Sequence, residues 1–300
     1  MICSKCGEQA IVSLRYFGLH LCQVHFIEIF ERRVAETIKK NAMVKDGDRI
    51  AVAVSGGKDS TALLLCLQKI LAKRDVDLVA VTVDEGIAGY RDDTLKVARE
   101  IAGRLGIEQQ IVSFREEYGF DLDEMVQGKN VAPCTFCGVF RKSALNRMAK
   151  RLSANKVATG HNLDDEAQSV MMNYLKGDIA RLLRFRPRRE QPGLVPRVKP
   201  LQCIPEKEIA LYGMVNGVFA VSRECPYAHL SLRADVRDMM NSLECLFPGT
   251  KQSTMQGFEK IVEMARDKRV QIDLGACQKC GEPCVKDLCK ACELLCKLKE

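Results

Sequence analysis

The stretch RIAVAVSGGKDS (residues 49–60) constrains this chain more than any other. A run of small and β-branched apolar residues ends on two glycines, and a helical pattern starts directly after them. Short apolar runs bounded by turn signals predict buried strands. Leu63, Leu67, Ile70 and Leu71 share one face of a helix predicted over 60–73, with Ser60 or Asp59 as its cap. DLVAVTVD (77–84) repeats the strand pattern, and QIVSF (110–114) and KVATGHN (156–162) continue it. Leu95, Ala98, Ala102 and Leu105 place another helix over 93–105, ending at Gly106. Strand alternating with helix predicts an α/β fold, a parallel sheet covered on both faces. Ligands in such folds sit beyond the carboxyl ends of the strands, where SGGKDS, VDEG and TGHNLDDE all fall.

The glycine turn brings backbone N–H groups of the loop and of the next helix to one point, an anion site strengthened by the helix dipole. Ser55, Gly56, Gly57, Lys58 and Ser60 would form it. The P-loop of kinases and GTPases does not fit, because it requires glycine at Val52 and a hydroxyl residue after Lys58, where Asp59 stands. The 300 residues carry 46 Lys and Arg against 39 Asp and Glu, an excess that permits an anionic partner. No apolar run approaches the ~20 residues of a membrane helix, and MICSKCGEQA has no signal-peptide pattern. Fifteen cysteines in a chain of this length without an export signal argue for thiolates on metals in a reducing compartment, the cytoplasm.

The cysteines form clusters. At the start, Cys3-x-x-Cys6 and Cys22-x-x-His25 are fifteen residues apart; at the end, Cys277-x-x-Cys280 and Cys289-x-x-Cys292 are eight apart. Paired knuckles with four ligands suit tetrahedral Zn²⁺, so two zinc modules are expected, with Cys284 and Cys296 as competitors at the second. Cys134-x-x-Cys137, with Cys225 as a distant third, fits a redox pair, half a zinc site or an Fe–S site. Cys66, Cys203 and Cys245 are expected to be buried hydrophobes. In TGHNLDDEAQS (159–169), capping by Asn162 or Asp164 accounts for one acid but not for two beside His161. Arg141 is either a solvated helix residue or a stabiliser of developing negative charge. The stretch 181–199 carries seven Arg or Lys, one Glu and three prolines, and is expected to be an extended basic loop.

SGGKDS is similar to the pyrophosphate loop of the N-type ATP pyrophosphatases. That resemblance implies ATP held by Ala53, Ser55, Gly56, Gly57, Lys58, Asp59 and Ser60, with adenosine at Val83 and Asp84. Gly160 and His161 would lie near the α phosphate, and Asp59 would assist Mg²⁺ on the leaving pyrophosphate. PCTFCGVFRK, TGHNLDDEA and ECPYA together resemble the tRNA 2-thiouridine synthetases of the TtuA and NcsA group, over essentially the whole chain. The group implies a 4Fe–4S cluster on Cys134, Cys137 and Cys225 with one iron open to sulfide, Asp165 as a catalytic or Mg²⁺-linked carboxylate, and Arg141 beside the adenylate. A cluster-free alternative uses Cys134 and Cys225 as persulfide and resolving thiol.

VDEGIAGYRDD, CTFCGV and MMNYLKGDIARLLR look more like the archaeal and eukaryotic enzymes acting on the wobble uridine than the branch acting in the T loop. Cytidine thiolases lack paired knuckles at both ends. The implied partners are tRNA, a sulfur donor (free sulfide or a thiocarboxylated ubiquitin-like protein) and a second copy in a homodimer. The implied division is an N-terminal zinc finger (1–28), a catalytic domain (29–230), a helical extension (231–270) and a C-terminal zinc finger (271–300). An ammonia-using synthetase explains the loop but not the three cysteines; a non-catalytic RNA-binding scaffold explains the zinc modules but not the loop.

Overall fold

The computed structural model describes every residue except 129–131, 185–190, 192, 219–223, 229–231, 266–273 and 300. The middle of the basic stretch, residues 185–190 and 192, therefore lies outside the described residues. The chain opens with an antiparallel pair, β1 (Val12–Leu14) and β2 (Leu19–Leu21), followed by α1 (Gln23–Lys40). The central part alternates β3 (Asp48–Ala53), α2 (Lys58–Leu71), β4 (Val76–Asp84), α3 (Arg91–Arg104) and β5 (Gln109–Ser113). Then come α4 (Phe114–Tyr118), α5 (Leu122–Val126), α6 (Pro133–Arg151), β6 (Lys156–Ala158), α7 (Leu163–Leu175), α8 (Ile179–Arg184) and β7 (Arg197–Val198). α9 (Glu206–Val215), α10 (Leu232–Leu246) and α11 (Thr250–Met264) follow, and β8 (Gly275–Ala276), β9 (Pro283–Cys284) and α12 (Lys290–Lys299) close the chain.

β3 to β7 form one parallel sheet in the order β5-β4-β3-β6-β7. The first four strands are those expected from the apolar runs. The fourth run stops at Ala158, so TGHN is a loop rather than strand. The basic stretch is not a plain linker either: its ends form part of α8 and the edge strand β7.

Side chains of β3 alternate between two cores, as the period of a strand requires. Ile50, Val52 and Val54 pack with Leu63, Leu64 and Leu67 of α2 and with Phe26 and Phe30 of α1. Ala51 faces the other way, toward Val79, Val81, Phe114 and Phe140. Each terminal module joins one of these cores: Cys3, Leu14, Leu21 and Cys22 the first, Cys277, Cys289, Cys292 and Leu294 the second. The modules are thus built into the two faces of the sheet domain. α10 and α11 pack on α7. Among the described residues no helix is long and apolar enough to cross a membrane.

One buried cation ties the strand ends together. Arg91, at the start of α3 and 4% exposed, donates to Ser55 O at 3.1 Å, to Val83 O and to Thr94 Oγ1, and ion-pairs with the buried Glu85 at 2.9 Å. It joins the end of β4 to the loop after β3. Removing one partner of a buried pair leaves an uncompensated charge, which costs about 3–5 kcal/mol. Arg91→Met is expected to lower the urea-unfolding free energy by about that much. A loss below about 1 kcal/mol, as at exposed pairs, would show that the pair does not hold these strand ends.

Candidate active site

The loop after β3 has the shape an anion site needs. Gly56 sits at φ +84°, and a Cβ there would lie 1.9 Å from Thr94 O, so only glycine fits. Gly57 caps α2 with no side-chain bond, in place of the Ser60 or Asp59 cap expected from the sequence. The Ser60 hydroxyl instead turns back into the loop, accepting from Ser55 N at 3.1 Å and donating to Gly57 O at 2.9 Å. Ser55 Oγ lies 3.1 Å from Ser60 Oγ. Ala53 ends β3 immediately before this turn.

The strand-end loops converge here. At Gly160 an added Cβ would be 3.0 Å from the backbone of Asp59 and Ser60, so the loop after β6 runs against the start of α2. Val83 and Asp84 end β4, with Val83 O bound by Arg91 and Asp84 Oδ1 accepting from Gly86 N at 3.0 Å. His161 Nδ1 lies 2.9 Å from Thr159 Oγ1. His161 is exposed, yet the surrounding protein, and then Lys199, Arg141, Arg233 and Lys142, push its pKa down to about 3. Desolvation and these cations therefore favour the neutral imidazole.

Asn162 caps α7 in a capping box with Asp165: Asp165 N donates to Asn162 Oδ1 at 2.9 Å and Asn162 N donates to Asp165 Oδ2 at 3.2 Å. The neighbouring Asp164 is buried against Lys251 and accepts from Glu206 N at 2.9 Å. Each acid thus has a structural partner, but Asp165 keeps Oδ1 toward a cavity, 3.5 Å from Arg233. Asp59 faces the same cavity and accepts from Asn162 Nδ2 at 3.3 Å. Lys58 pairs with Asp59 at 3.2 Å and with Glu206 at 2.5 Å.

That cavity, about 320 Å³, is also lined by Cys134, Cys137, Cys225 and Arg141. Pro133 occupies the first turn of α6, where its missing N–H costs nothing, and sets Cys134 and Cys137 one turn apart. Cys134 Sγ approaches Tyr227 O at 3.7 Å, which ties α6 to the segment carrying Cys225. Burial pushes the Cys137 thiol up to about 11 and raises that of Cys225, with Arg141 pulling the other way in both. Arg141 lies 3.6 Å from Glu85, so an arginine–carboxylate chain runs from Cys137 through Glu85 and Arg91 to the phosphate loop.

The terminal clusters differ in kind. Among the described residues, Cys3, Cys6, Cys22 and His25, and Cys277, Cys280, Cys289 and Cys292, are the sets whose ligand atoms all come within 4.8 Å of one another. Desolvation raises the Cys3 and Cys277 thiols, but backbone N–H donors of their knuckles outweigh it and lower both to about 6. The cavity thiols are not drawn to a single point in this way. Cys284 and Cys296 stay outside the second set, as the knuckle spacing implies. Of the three cysteines expected to be buried hydrophobes, only Cys66 is; Cys203 and Cys245 are exposed, because they sit on turns and helix faces that nothing covers.

Sequence reasoning missed Glu85, Arg91, Glu206, Arg233 and Lys142. Glu85 and Arg91 stand inside the quoted VDEGIAGYRDD and Lys142 inside PCTFCGVFRK, but the motifs do not show what these residues pair with; the partners of Glu206 and Arg233 come from distant segments. Lys142 belongs to a cationic rim: Arg197 donates to its carbonyl at 2.9 Å, and its ammonium pKa is lowered by burial and then by Arg197, Arg181, Arg141 and Lys199.

A phosphate loop at the carboxyl end of a parallel sheet, opening on a cavity with three thiols and three carboxylates, defines a nucleotide-using PP-loop protein. The profile of the PP-loop domain family matches residues 27–244, and that of the N-terminal LIM domain of the 2-thiouridine synthetase TtuA matches residues 2–27. The chain is 37% identical to the tRNA 2-thiolation protein NcsA of Haloferax volcanii, over 98% of each chain. It is 38% identical to the cytoplasmic tRNA 2-thiolation protein 1 of Oryza sativa, covering 98% of this chain and 82% of that one. Among solved structures, the U34-tRNA thiolase NcsA of Methanococcus maripaludis, determined with its 4Fe–4S cluster, superposes with a TM-score of 0.87 at 36% identity, over 99% and 96% of the two chains. The chain belongs to the NcsA-type family of tRNA 2-thiolation proteins.

Asp59 is the most exposed of these assignments to a pH test. Burial first, opposed by Lys58 and reinforced by Glu206 and Asp165, raises its pKa from 3.8 to about 6. The native state therefore binds this proton more tightly than the unfolded chain, and ionisation removes stability as pH rises through that window. Asp59→Asn is expected to raise metal-free stability at pH 8 by about 1–3 kcal/mol, a gain that fades below about pH 4. An Asn variant less stable than wild type at pH 8 would mean that the Lys58 contact outweighs burial.

Proposed function

We propose that this chain is an ATP-dependent tRNA sulfurtransferase that adenylates O2 of the wobble uridine and replaces that oxygen with sulfur. The observation that carries the proposal is the shared cavity: Asp59 of the phosphate loop, Asp165 and the three cysteines line one space. The loop N–H groups and Lys58 would hold the β and γ phosphates, and the backbone at Gly160 would border the α phosphate. Uridine O2 attacks the α phosphorus and pyrophosphate leaves. Sulfide then attacks C2 of the adenylated base, the C–O bond breaks and AMP leaves, giving 2-thiouridine. Electrostatic stabilisation of the charge built up at the α phosphate falls to Lys58 and Arg141. Mg²⁺, for which Asp59 is the candidate ligand, would neutralise the departing pyrophosphate.

Cys134, Cys137 and Cys225 fit a 4Fe–4S cluster: three thiols around one cavity, more widely spread than the ligands of a single ion. When bound, such a cluster supplies an open iron that can carry sulfide. The three cysteines would hold it at the cavity mouth, with Arg141 beside it. The terminal sets would each hold one structural Zn²⁺. The cationic rim of Arg181, Lys142 and Arg197 would follow tRNA phosphates. The cytoplasm is the proposed compartment and a homodimer the proposed assembly, both on family likeness.

The test is to incubate anaerobically reconstituted protein with unmodified tRNA, ATP, Mg²⁺ and sulfide, and to map thiolated nucleosides by fragment mass spectrometry. Sulfur at the wobble position is expected; sulfur in the T loop would move the target, and its absence everywhere would overturn the activity. Cys134→Ser, Cys137→Ser and Cys225→Ser are each expected to reduce thiolation to background while ATP still binds. If only Cys134 and Cys225 matter, a persulfide pair replaces the cluster. Zinc content by atomic emission is expected to fall from two equivalents to one in Cys3→Ser or in Cys277→Ser. An unchanged content would remove zinc from that module.

A further inference from the structure

A second cavity lies beside the phosphate loop; Lys58 stands on its wall, and the reaction outlined above gives no role to the rest of its lining. Its volume is about 510 Å³, within the range of roughly 300–1,000 Å³ typical of small-ligand sites. It opens between the N-terminal module, the start of α9 and the turn joining α10 to α11. Leu163 and Asp164 line it, whereas Asn162 and Asp165 line the reaction cavity. The first turn of α7 is therefore the wall between the two spaces. Glu206 borders both, and its carboxylate holds Lys58 at 2.5 Å. The second cavity thus begins next to the group that meets the ATP phosphates.

The charges on its wall do not balance. Each acid there is already matched: Glu206 by Lys58, Asp164 by the buried Lys251, and Glu244 by the N–H groups of Gly249 at 2.8 Å and Lys251 at 3.0 Å. Arg15 and Lys207 are exposed, line the cavity, and form no ion pair among the described residues. The amino-terminal end of α9 faces the same space and adds its dipole. Beside them stands an aromatic ring that cannot swing away. The Tyr16 hydroxyl donates to Glu208, and the Arg33 guanidinium sits 5.7 Å from the ring centroid. Pro205, Pro248 and Leu163 complete an apolar wall.

A fixed ring, apolar surroundings and unpaired cations are the combination that binds unpaired nucleotides, the base by stacking and the backbone by charge. An enzyme that works on one base of an RNA loop must splay that base out of its stack, and the neighbouring nucleotide then needs a place of its own. We propose that this cavity is a second nucleotide subsite, holding the unpaired nucleotide adjacent to the one in the reaction cavity, its phosphate between Arg15 and Lys207 and its base against Tyr16. The assignment rests on tRNA being the substrate and deepens it, because it says which face of the protein the loop crosses.

The experiment compares wild-type, reconstituted protein with the double variant Arg15→Gln/Lys207→Gln; both positions are exposed, so folding is not at stake. An unmodified anticodon stem-loop RNA is titrated at several salt concentrations, ATP binding is measured alongside, and thiolation is followed in the same preparations. The variant is expected to bind the RNA about tenfold more weakly near 0.1 M salt, and its log–log salt slope to shrink by about 1.4, two single-strand contacts at about 0.7 each. KM for the stem-loop rises with it, while turnover at saturating RNA and ATP affinity stay near wild type. Tyr16→Leu is expected to weaken RNA binding without changing the salt slope. Wild-type affinity and slope in the double variant would overturn the subsite. A matching loss of ATP or inorganic pyrophosphate affinity would overturn it too, by making the cavity a site for free phosphates. If wild type binds the stem-loop with the expected difference in slope but never thiolates it, the subsite stands and the proposed activity falls.

Discussion

The close approach of the phosphate loop to α3 is the constraint on which the rest of the site depends. With no side chain at Gly56, the loop after β3 lies against Thr94 O, and Arg91 closes the gap by binding Ser55 O and Val83 O at once. Two neighbouring strand ends are thereby locked at one height, so the loops that follow them share a rim. Glu85 and Arg141 continue the chain of charges from that rim to Cys137. Within that chain Arg91 and Glu85 are the groups that cannot lose a partner without a large desolvation cost.

The first turn of α7 does a second kind of work. Four successive residues, Asn162 to Asp165, divide between two cavities and two tasks, since helical geometry sends neighbours to different sides. Asp165 serves as half of a capping box and still presents one oxygen to the reaction space. Asp164 is consumed by the structure: with Lys251 and Glu206 N it fastens α11 and α9 to α7. Two adjacent carboxylates that look interchangeable in the sequence therefore differ in accessibility.

Four of the five strands of the central sheet and the two terminal knuckle sets were legible because each depends on local pattern. Apolar runs report burial, and C-x-x-C spacing reports a metal knuckle whatever lies between. Local pattern failed where partners are remote. Gly57 rather than Ser60 or Asp59 caps α2, since the Ser60 hydroxyl has a better use within the loop. β7 is too short to announce itself and exists because β6 offers it an edge. Cys203 and Cys245 resemble Cys66 in sequence, but exposure is decided by what packs on them.

By itself the sequence determined the alternating α/β plan, the anion-binding turn, the pairing of cysteines into knuckles and, through motif likeness, the chemistry to expect. These follow from short-range stereochemistry: glycine permits the turn, periodicity sets the faces, and ligand spacing sets the knuckle. Only the tertiary structure decided that Glu206 holds Lys58 and that Arg15 and Lys207 border one cavity; it also brings Cys225 to the cavity of Cys134 and Cys137, as the motif likeness implied. These contacts join residues far apart in the chain, and their energy appears only once the sheet has brought its loops to one edge.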